Sequence, residues 1–354
     1  MDIPLPFKQL RKQQLQTWIN QNTDFECSSL ETVSEDASFR RYYRFSYRAQ
    51  SIIAVDAPPE NENASQFIAV AKAYQAEGVK VPEIYAYDLE HGFYIQQDFG
   101  NRIFSDFLTA DSCDQLYFKA LANIPLIQNC LSTEKAPLPV FDGLFIDREL
   151  NIFTEWLLDK YLQLSLSQAE KSMLSQAFNT IKNSCLIQPK VGMHRDYHSR
   201  NLMLLNDNDN DDDNDDDEIG VIDFQDAVVG PITYDAVSLL RDSYQNWPKE
   251  KVLGWLQIWH AEYYIQYPWT EFKMWFDCVA MQRHIKVAGI FARLYLRDKK
   301  TNYVLDIPHT LHYLIDEASQ YPEYFEFSNF VRERVLPNVL QKLKVNITGH
   351  KSED

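Results

Sequence analysis

The sequence predicts an α+β protein with two lobes, a small strand-rich one followed by a large, mostly helical one. The first hundred residues hold dense runs of aromatic and β-branched residues, which are typical of strands. After Gly100 the apolar residues recur at helical spacing, and one strand-rich island at 191–224 interrupts these helices. With 354 residues, 45% of them hydrophobic, the chain can bury a core in each lobe. We therefore expect an N-lobe of 1–100 and a C-lobe of 101–354.

Local patterns define the elements of the N-lobe. Leu10, Leu15, Trp18 and Ile19 share one face of a helix near the start of the chain. The runs RYYRFSY and SIIAVDA are rich in aromatic and β-branched residues and predict an antiparallel pair. Gly78 ends a second helix. The predicted strands are 41–47, 51–57, 83–88 and 92–97, and the predicted helices lie near 10–19 and over 64–77.

Long helical patterns fill the C-lobe. The predicted helices cover 112–130, 147–163, 167–186, 233–246, 249–266, 271–298 and 328–342. No apolar run approaches the roughly 20 residues that a membrane-spanning helix needs. The start, MDIPLPFKQLRKQQ, lacks the basic-then-apolar order of a secretory signal. We therefore expect a cytoplasmic protein that has no membrane partner.

Charge and cysteine usage exclude two classes of protein. The net charge of −17 argues against a protein that grips nucleic-acid phosphates. Nine of those negative charges come from 207–218, DNDNDDDNDDDE, which leaves −8 for the remainder. We expect this run to be a disordered, self-repelling insert between two strands. Five cysteines, with no C-x-x-C, indicate neither a disulfide framework nor a zinc knuckle.

The strand-rich island carries the residues that indicate chemistry. His194, Arg195 and Asp196 are followed by Asn201 in the spacing H-R-D-x-x-x-x-N, and Asp223 follows the apolar run IGVI. This order suits phosphoryl transfer to an alcohol, in which Asp196 takes the proton of the acceptor hydroxyl. Asn201 and Asp223 offer the hard oxygen ligands that Mg²⁺ prefers. His194 and Arg195 would brace the loop.

Two other interpretations of the island have less support. A merely solvated loop, with Asp223 as a turn residue, leaves the ordered spacing unexplained. His194 and His198 are four residues apart, as in zinc-binding helices, but no Glu follows His194 and the segment lacks a helical pattern.

Seven stretches of the chain match one known family in order. They are DASFRRYYR (36–44), VDAPPE (55–60), QQDFGN (96–101), the gapped REL-IF-EW (148–156), MHRDYHSRNLM (193–203), IDFQDAVVGPITYD (222–235) and QRHIKVAGIFARL (282–294). The chain resembles the aminoglycoside phosphotransferase-like branch of the protein-kinase fold. Within that branch it is most similar to the bacterial anomeric kinases of N-acetylmuramate and N-acetylglucosamine, which act in cell-wall (peptidoglycan) recycling.

The resemblance implies a bilobal protein-kinase-like fold, ATP as donor, Mg²⁺ and a sugar hydroxyl as acceptor. It implies a catalytic loop at 193–201 and a metal segment at 219–226. It also implies Asp196 as base, with Asn201 and Asp223 as metal ligands.

The chain departs from kinases where the phosphates of the nucleotide bind. It has no G-x-G loop, and the small residues Ala37 and Ser38 are the candidate replacement, since they let backbone N–H groups approach phosphate. The strand SIIAVDA carries no phosphate-binding lysine. Arg40 and Arg44 lie on one face of the preceding strand and are candidates for the missing charge. The alternative is that both form surface ion pairs.

Asp98-Phe99-Gly100 spells the metal motif of kinases but precedes the catalytic loop. At the junction of the lobes we expect Gln97, Asp98 and Phe99 to form the hinge, whose backbone receives adenine. The metal aspartate is then Asp223.

The acceptor is expected to bind the helical lobe. Candidates are Arg200, Asp226 and Tyr234, which flank the catalytic loop and the metal segment, and Glu149, Arg283 and His284, which lie in stretches that match the family. A cationic cluster at 283–286 would suit a lactyl carboxylate. The alternative is that this cluster forms the solvent-exposed face of a helix.

The sequence thus predicts an ATP- and Mg²⁺-dependent sugar 1-kinase that acts on N-acetylmuramate or N-acetylglucosamine. One rival is a kinase of another small alcohol, such as an aminoglycoside, choline or homoserine. A second rival is a degenerate kinase that binds nucleotide without turnover. No nucleic-acid partner is expected, and no pattern indicates an oligomeric state.

Overall fold

The structure, a computed structural model, describes residues 5–35, 39–205 and 217–349. Ala37, Ser38 and most of the acidic insert at 207–218 therefore lie outside the described residues. The chain forms two compact units. The first unit joins 1–138 to 199–227, and the second joins 139–198 to 228–354.

The elements follow in chain order. The strands are β1 (Glu31–Glu35), β2 (Arg41–Tyr47), β3 (Gln50–Asp56), β4 (Ile84–Asp88), β5 (Phe93–Gln97), β6 (Lys190–Met193), β7 (Leu202–Leu205), β8 (Glu218–Val221) and β9 (Val228–Pro231). The α-helices are α1 (Leu5–Asn22), α2 (Ala64–Ala76), α3 (Cys113–Asn129), α4 (Gly143–Ile152), α5 (Gln168–Ile187), α6 (Tyr234–Leu240), α7 (Lys249–Tyr263), α8 (Trp269–Asp298), α9 (Ile307–Ala318), α10 (Phe325–Phe330) and α11 (Leu336–Gly349). π-Helical segments at Phe153–Tyr161 and Val331–Val335 follow α4 and α10.

An antiparallel sheet in the order β1-β2-β3-β5-β4 forms the centre of the first unit. The four strands predicted here are confirmed, and β2 pairs with β3 so that Arg41 faces Asp56. Strand β1 was not predicted, because ETVSE is polar and short. Leu15, Trp18 and Ile19 of α1 are buried in one hydrophobic cluster with β2, β3 and β5. This packing confirms the predicted helical face for these three residues, whereas Leu10, the fourth residue predicted on it, is 51% exposed.

A buried charge cluster fixes the end of β3. The Asp56 side chain has no exposed surface. Its carboxylate accepts hydrogen bonds from Arg11 of α1 at 2.5 and 3.1 Å and from Arg41 of β2. Arg11 also donates to the carbonyl of His91 at 2.7 Å. Strand β3 thus ends at Asp56 and carries no phosphate-binding lysine. Asp56 instead joins α1 to the sheet.

Asp56→Asn is expected to destabilise the first unit by about 3–5 kcal/mol, because it leaves two buried guanidinium groups without their counter-charge. Urea unfolding measures this change. Glu134→Gln serves as a matched control: its half-exposed pair with Lys72 at 3.5 Å is worth about 0–1 kcal/mol. Equal losses in the two variants would contradict a structural role for Asp56.

The hairpin β7–β8 also belongs to the first unit. Val221 N donates to Lys80 O at 2.7 Å, and Leu204 N donates to Arg102 O at 2.9 Å. A Cβ on Gly220 would lie 2.8 Å from the Phe99 ring, so only glycine permits this contact. The hairpin, and the residues that flank it, are thereby fixed to the segment that follows β5.

The C-terminal end of the acidic insert is anchored in this unit. The Asp217 side chain is fully buried, and its carboxylate is held by the Arg102 guanidinium at 2.6 and 3.0 Å. Lys119 of α3 donates to the carbonyl oxygen of Asp217 at 3.0 Å. The predicted solvation of the insert therefore does not extend to Asp217.

The second unit contains α4–α11 and the β6–β9 pair. Its long helix α8 is buried over much of its length and passes close to the end of α4. A Cβ on Gly289 would lie 2.6 Å from the backbone of Ile152, so the helices meet through glycine.

The predicted C-lobe helices exist, with different bounds. The helix predicted at 147–163 begins at Gly143 and turns π-helical, the one at 233–246 ends at Leu240, and 328–342 is divided by a π-helical segment. Helix α9 was not predicted.

Two properties of the described residues bear on the earlier expectations. All five cysteines are buried and carry free thiols. Within the described ranges, no helix combines the length and apolar character needed to cross a membrane.

Candidate functional site

The loop after β6 has a backbone conformation that the second unit holds in place. Arg195 has a φ of +76°, a region that costs a non-glycine residue about 1–3 kcal/mol. Asp235, buried at the start of α6, accepts hydrogen bonds from the backbone N–H groups of His194 at 2.7 Å and Arg195 at 3.0 Å. Arg283 donates to the Arg195 carbonyl at 2.6 Å. These bonds offset the cost of the conformation.

His194 stabilises the loop from inside. Its side chain is fully buried, and its Nδ1 accepts a hydrogen bond from the backbone N–H of Asp196 at 3.2 Å. This hydrogen bond joins Asp196 to His194, the first residue of the loop. Asp196 remains the partly exposed group of the pair, with 37% of its side chain accessible.

Asp196 lies among cationic side chains of the second unit. Burial would raise the pKa of its carboxyl, but Lys286, Arg283 and Arg195 together hold that pKa well below its ordinary range. Nη1 of Arg283 lies 3.9 Å from Oδ1 of Asp196. The carboxylate is therefore ionised at neutral pH.

The acceptor-binding candidates of the second unit form two separate groups. Glu149 and Tyr234 are buried next to Arg195: Glu149 bonds Arg195 at 3.1 Å, and Tyr234 lies under the Arg283 guanidinium at 5.1 Å. His284 is buried elsewhere, bonded to Glu317 at 2.9 Å and stacked on Tyr313. The geometry favours a packing role for His284.

Arg200 and Asp226 belong to the first unit, where both are exposed.

The candidate metal residues meet in the first unit. Asn201 Nδ2 donates to Asp223 Oδ2 at 3.3 Å, and Gln225 Nε2 donates to Asp223 Oδ1 at 2.7 Å. Asp223 has a φ of +63°, which aspartate tolerates better than most residues. Rotating the Asn201 amide would bring its oxygen beside the carboxylate, because the two amide ends have nearly the same shape. The pair then presents the oxygen donors that suit Mg²⁺.

A cavity of about 350 Å³ lies in the first unit, beside the metal candidates. Its lining combines an apolar surface with residues of the predicted hinge and metal segment: Val33, Tyr42, Arg44, Ile53, Phe67, Pro82, Gln96, Gln97, Asp98, Phe99, Gly100, Asn101, Ile103, Asn201, Met203, Ile222, Asp223 and Phe224. Such a cavity, apolar with a few polar groups, suits a nucleotide base and ribose.

Arg44 binds the segment predicted to be the hinge. Its guanidinium donates to Asp98 at 2.6 and 2.9 Å, to Asn101 Oδ1 at 2.9 Å and to the Gly100 carbonyl at 3.2 Å. Burial would raise the pKa of Asp98, but the bonds from Arg44, Ser51 and the Gly100 N–H lower it. Arg44 therefore closes the hinge side of the cavity.

Arg40 lies beside Phe67, a residue of the cavity lining. It is buried, forms an ion pair with Glu62 at 3.1 Å and lies 5.0 Å over the Phe67 ring. Phe67 stacks at 4.6 Å on Phe224, the residue after Asp223. Neither Arg40 nor Arg44 therefore forms a solvent-exposed surface ion pair.

Sequence reasoning missed the groups that support the loop. Asp235 was passed over although it follows Tyr234 in the matching stretch, and Gln282 was passed over although it shares a helix with Arg283. Lys286 was considered only as part of a cluster for the acceptor, not as support for the loop. A helical spacing of 282, 283 and 286 was the available signal, since such residues lie on neighbouring positions of one face.

A family model matches the larger part of the chain. The model is described as "Phosphotransferase enzyme family" and matches residues 29–272. This range includes the predicted catalytic loop, the metal candidates and the predicted hinge.

Curated relatives match nearly the full length. An N-acetylmuramate/N-acetylglucosamine kinase of Pseudomonas putida is 35% identical over 93% of this chain and 98% of its own. A protein of the same name from Neisseria meningitidis is also 35% identical, over 88% of this chain and 92% of its own.

Solved structures resemble the chain in fold. The ethanolamine kinase of Plasmodium vivax has a TM-score of 0.59 at 12% identity and covers 84% of both chains. An aminoglycoside 2'-phosphotransferase-IIIa in a GDP complex has a TM-score of 0.57 at 16% identity, over 88% of this chain and 99% of its own. The predicted α+β, protein-kinase-like fold is confirmed.

Proposed function

This chain belongs to the phosphotransferase enzyme family, and we propose that it transfers the γ-phosphoryl group of ATP to the anomeric hydroxyl of N-acetylmuramate or N-acetylglucosamine. The names of the curated relatives support the acceptor. The observation that carries the reaction type is Asp196, an ionised, partly exposed carboxylate on a loop that Asp235 and Arg283 hold in a costly conformation. With ATP as donor, we propose a cytoplasmic location.

Asp196 accepts a hydrogen bond from the acceptor hydroxyl and orients its oxygen for in-line attack on the γ-phosphorus. A new P–O bond forms to the sugar, the bond to the leaving ADP oxygen breaks, and the hydroxyl proton passes to Asp196. Because its pKa is low, Asp196 is a weak base, so orientation is its main contribution and the proton moves late.

Asn201 and Asp223 would hold Mg²⁺ through their side-chain oxygens. When bound, the ion neutralises charge on the phosphate oxygens. Gln225 holds one oxygen of Asp223, and the Asn201 carbonyl accepts from the Ile222 N–H at 3.1 Å, so the backbone beside each ligand is fixed.

The cavity of the first unit is proposed to bind the base and ribose of the nucleotide, with Gln97, Asp98 and Phe99 as the hinge. Of the two arginines, Arg40 is the proposed phosphate cation. Arg44 is held by hinge groups, whereas Arg40 is linked through Phe67 and Phe224 to the position of Asp223.

Comparing ATP with adenosine separates the two arginines. Arg40→Gln is expected to raise the Kd of ATP about 10–100-fold, the loss of a charged hydrogen bond, and to leave the Kd of adenosine unchanged. Arg44→Gln is expected to weaken both ligands by a similar factor, because the hinge loosens. Calorimetry measures all four constants, and Arg48→Gln on the exposed β2–β3 turn is the control. A selective loss of ATP in Arg44→Gln would reverse the assignment.

An acceptor panel tests the proposed function itself. It contains N-acetylmuramate, N-acetylglucosamine, glucose, an aminoglycoside and choline. Every assay contains ATP and Mg²⁺, and the Asp196→Asn variant serves as the blank. Formation of an acid-labile 1-phosphate from the amino sugars is the expected result. Turnover on another acceptor would support the proposed reaction type but contradict the proposed sugar acceptor. Nucleotide binding without turnover on any acceptor would favour the degenerate kinase.

A further inference from the structure

Glu149 lies at the centre of a buried polar network in the second unit. It projects from α4 and is 6% exposed. Its Oε1 accepts from Arg195 Nη2 at 3.1 Å and lies 3.4 Å from Lys286 Nζ, and its Oε2 accepts from Gln282 Nε2 at 2.7 Å. Both carboxylate oxygens are therefore engaged by protein groups. This arrangement differs from that of a side chain that awaits a sugar hydroxyl.

Two partners of Glu149 act directly on Asp196. Arg195 is the preceding residue, and its carbonyl is fixed by Arg283 at 2.6 Å. Lys286 is the charge that acts most strongly on the Asp196 carboxyl. A shift of either Arg195 or Lys286 would therefore change the electrostatic environment of the Asp196 carboxylate.

Glu149 favours the charged form of Lys286. Burial would lower the pKa of this ammonium group, but Glu149, followed by Tyr234 and Asp196, raises it. Lys286 also donates to Tyr234 Oη at 3.3 Å. If Glu149 lost its charge, the remaining carboxylate among these three partners would be Asp196. The buried ammonium group would then pair more closely with Asp196, because a buried cation without a counter-ion is costly.

We propose that Glu149 is a positioning residue that fixes Lys286 and Arg195 in place beside Asp196, so that the Asp196 carboxylate keeps the orientation and charge environment in which it meets the acceptor hydroxyl. This inference rests on the proposed function, in which Asp196 orients the acceptor. It assigns Glu149 a role in kcat, whereas an acceptor ligand would act on KM.

The first test is kinetic. Glu149→Gln keeps the size of the side chain and is expected to lower kcat about 10–100-fold, the usual effect of removing a supporting partner, with both KM values nearly unchanged. Adding Lys286→Met removes the unbalanced ammonium group, so the double variant is expected to recover several-fold in kcat over Glu149→Gln. This double variant removes the more deeply buried of the two cations that Glu149 balances, so it is expected to be more stable than the single variant and to fold even if the single variant does not.

Asp277→Asn is the matched control. Asp277 is a buried carboxylate on the same helix as Lys286, paired with Lys273 at 2.5 Å and with Tyr321 at 2.6 Å. Its loss is expected to lower the melting temperature without changing kcat. A higher acceptor KM at constant kcat in Glu149→Gln, or no recovery in the double variant, would overturn the inference.

A second test needs no turnover. Hydrogen exchange of the free enzyme, followed by mass spectrometry, reports on the peptide over 193–198. Glu149→Gln is expected to speed exchange in this peptide, whereas Asp277→Asn leaves it unchanged. Unchanged exchange would contradict the positioning role, even if the acceptor panel shows that the proposed function is wrong.

Discussion

Asp196→Asn is expected to lower kcat by about 10²–10⁴-fold while nucleotide affinity stays within about twofold, because the change removes only the proton acceptor and its orienting charge. The substitution keeps the size of the side chain, and the residues that line the cavity all belong to the first unit. Steady-state kinetics and calorimetry with ATP measure the two quantities. Asp147→Asn, a carboxylate of α4 paired with Lys182 at 2.8 Å and 41% exposed, is the control that should keep its activity.

Stability against pH offers an independent measure of the same variant. The lowered pKa of Asp196 means that its charge stabilises the folded state above the ordinary pKa of about 3.9, and that this contribution is lost as pH falls further. The wild type should therefore exceed Asp196→Asn in free energy of unfolding by a constant amount between about pH 5 and 8, and the gap should narrow below about pH 4. A gap that widens in acid would contradict the charge environment described for Asp196.

Asp223→Asn is expected to lower kcat by at least about 10²-fold and to raise the Mg²⁺ concentration needed for half-maximal rate, because a bound ion contributes several kcal/mol to charge neutralisation. The expected shift in Mg²⁺ dependence follows from losing one charged oxygen, while Asn201 still supplies its own. A Mg²⁺ titration at saturating ATP and acceptor measures both effects.

Two variants at position 201 complete the Mg²⁺ test. Asn201→Ala is expected to resemble Asp223→Asn, whereas Asn201→Asp, which keeps a hard oxygen donor, should retain more activity. An unchanged Mg²⁺ dependence in Asp223→Asn would remove this residue from the metal site.

Much of the sheet could be predicted because its strands carry strong local signals. RYYRFSY and SIIAVDA combine aromatic and β-branched residues, and their pairing was confirmed. Strand β1 could not be predicted, since ETVSE gains its partners only from β2. The division of 328–342 also depends on tertiary packing, because a π-helical segment has no strong local signature.

The site could be predicted where spacing along the chain encodes it. H-R-D-x-x-x-x-N identified Asp196 and Asn201, and their roles remain predictions. The support of the loop could not be predicted in the same way, because Asp235 and Glu149 meet it from distant parts of the sequence. The pattern placed Arg40 and Arg44 on one face, but only the structure shows that they have different partners, Glu62 for Arg40 and Asp98 for Arg44.

The ion pair between Asp217 and Arg102 makes the segment that precedes Asp217 a practical site for protein engineering. Leu205 pairs with Glu218 across the hairpin, so the two ends of the intervening segment are already joined by the sheet. A chain whose ends are fixed in this way tolerates changes of length, since doubling a loop costs only about 0.6 kcal/mol. A purification tag or a fluorescent label could therefore be inserted between 207 and 216, provided that Asp217 and its bonds to Arg102 are kept.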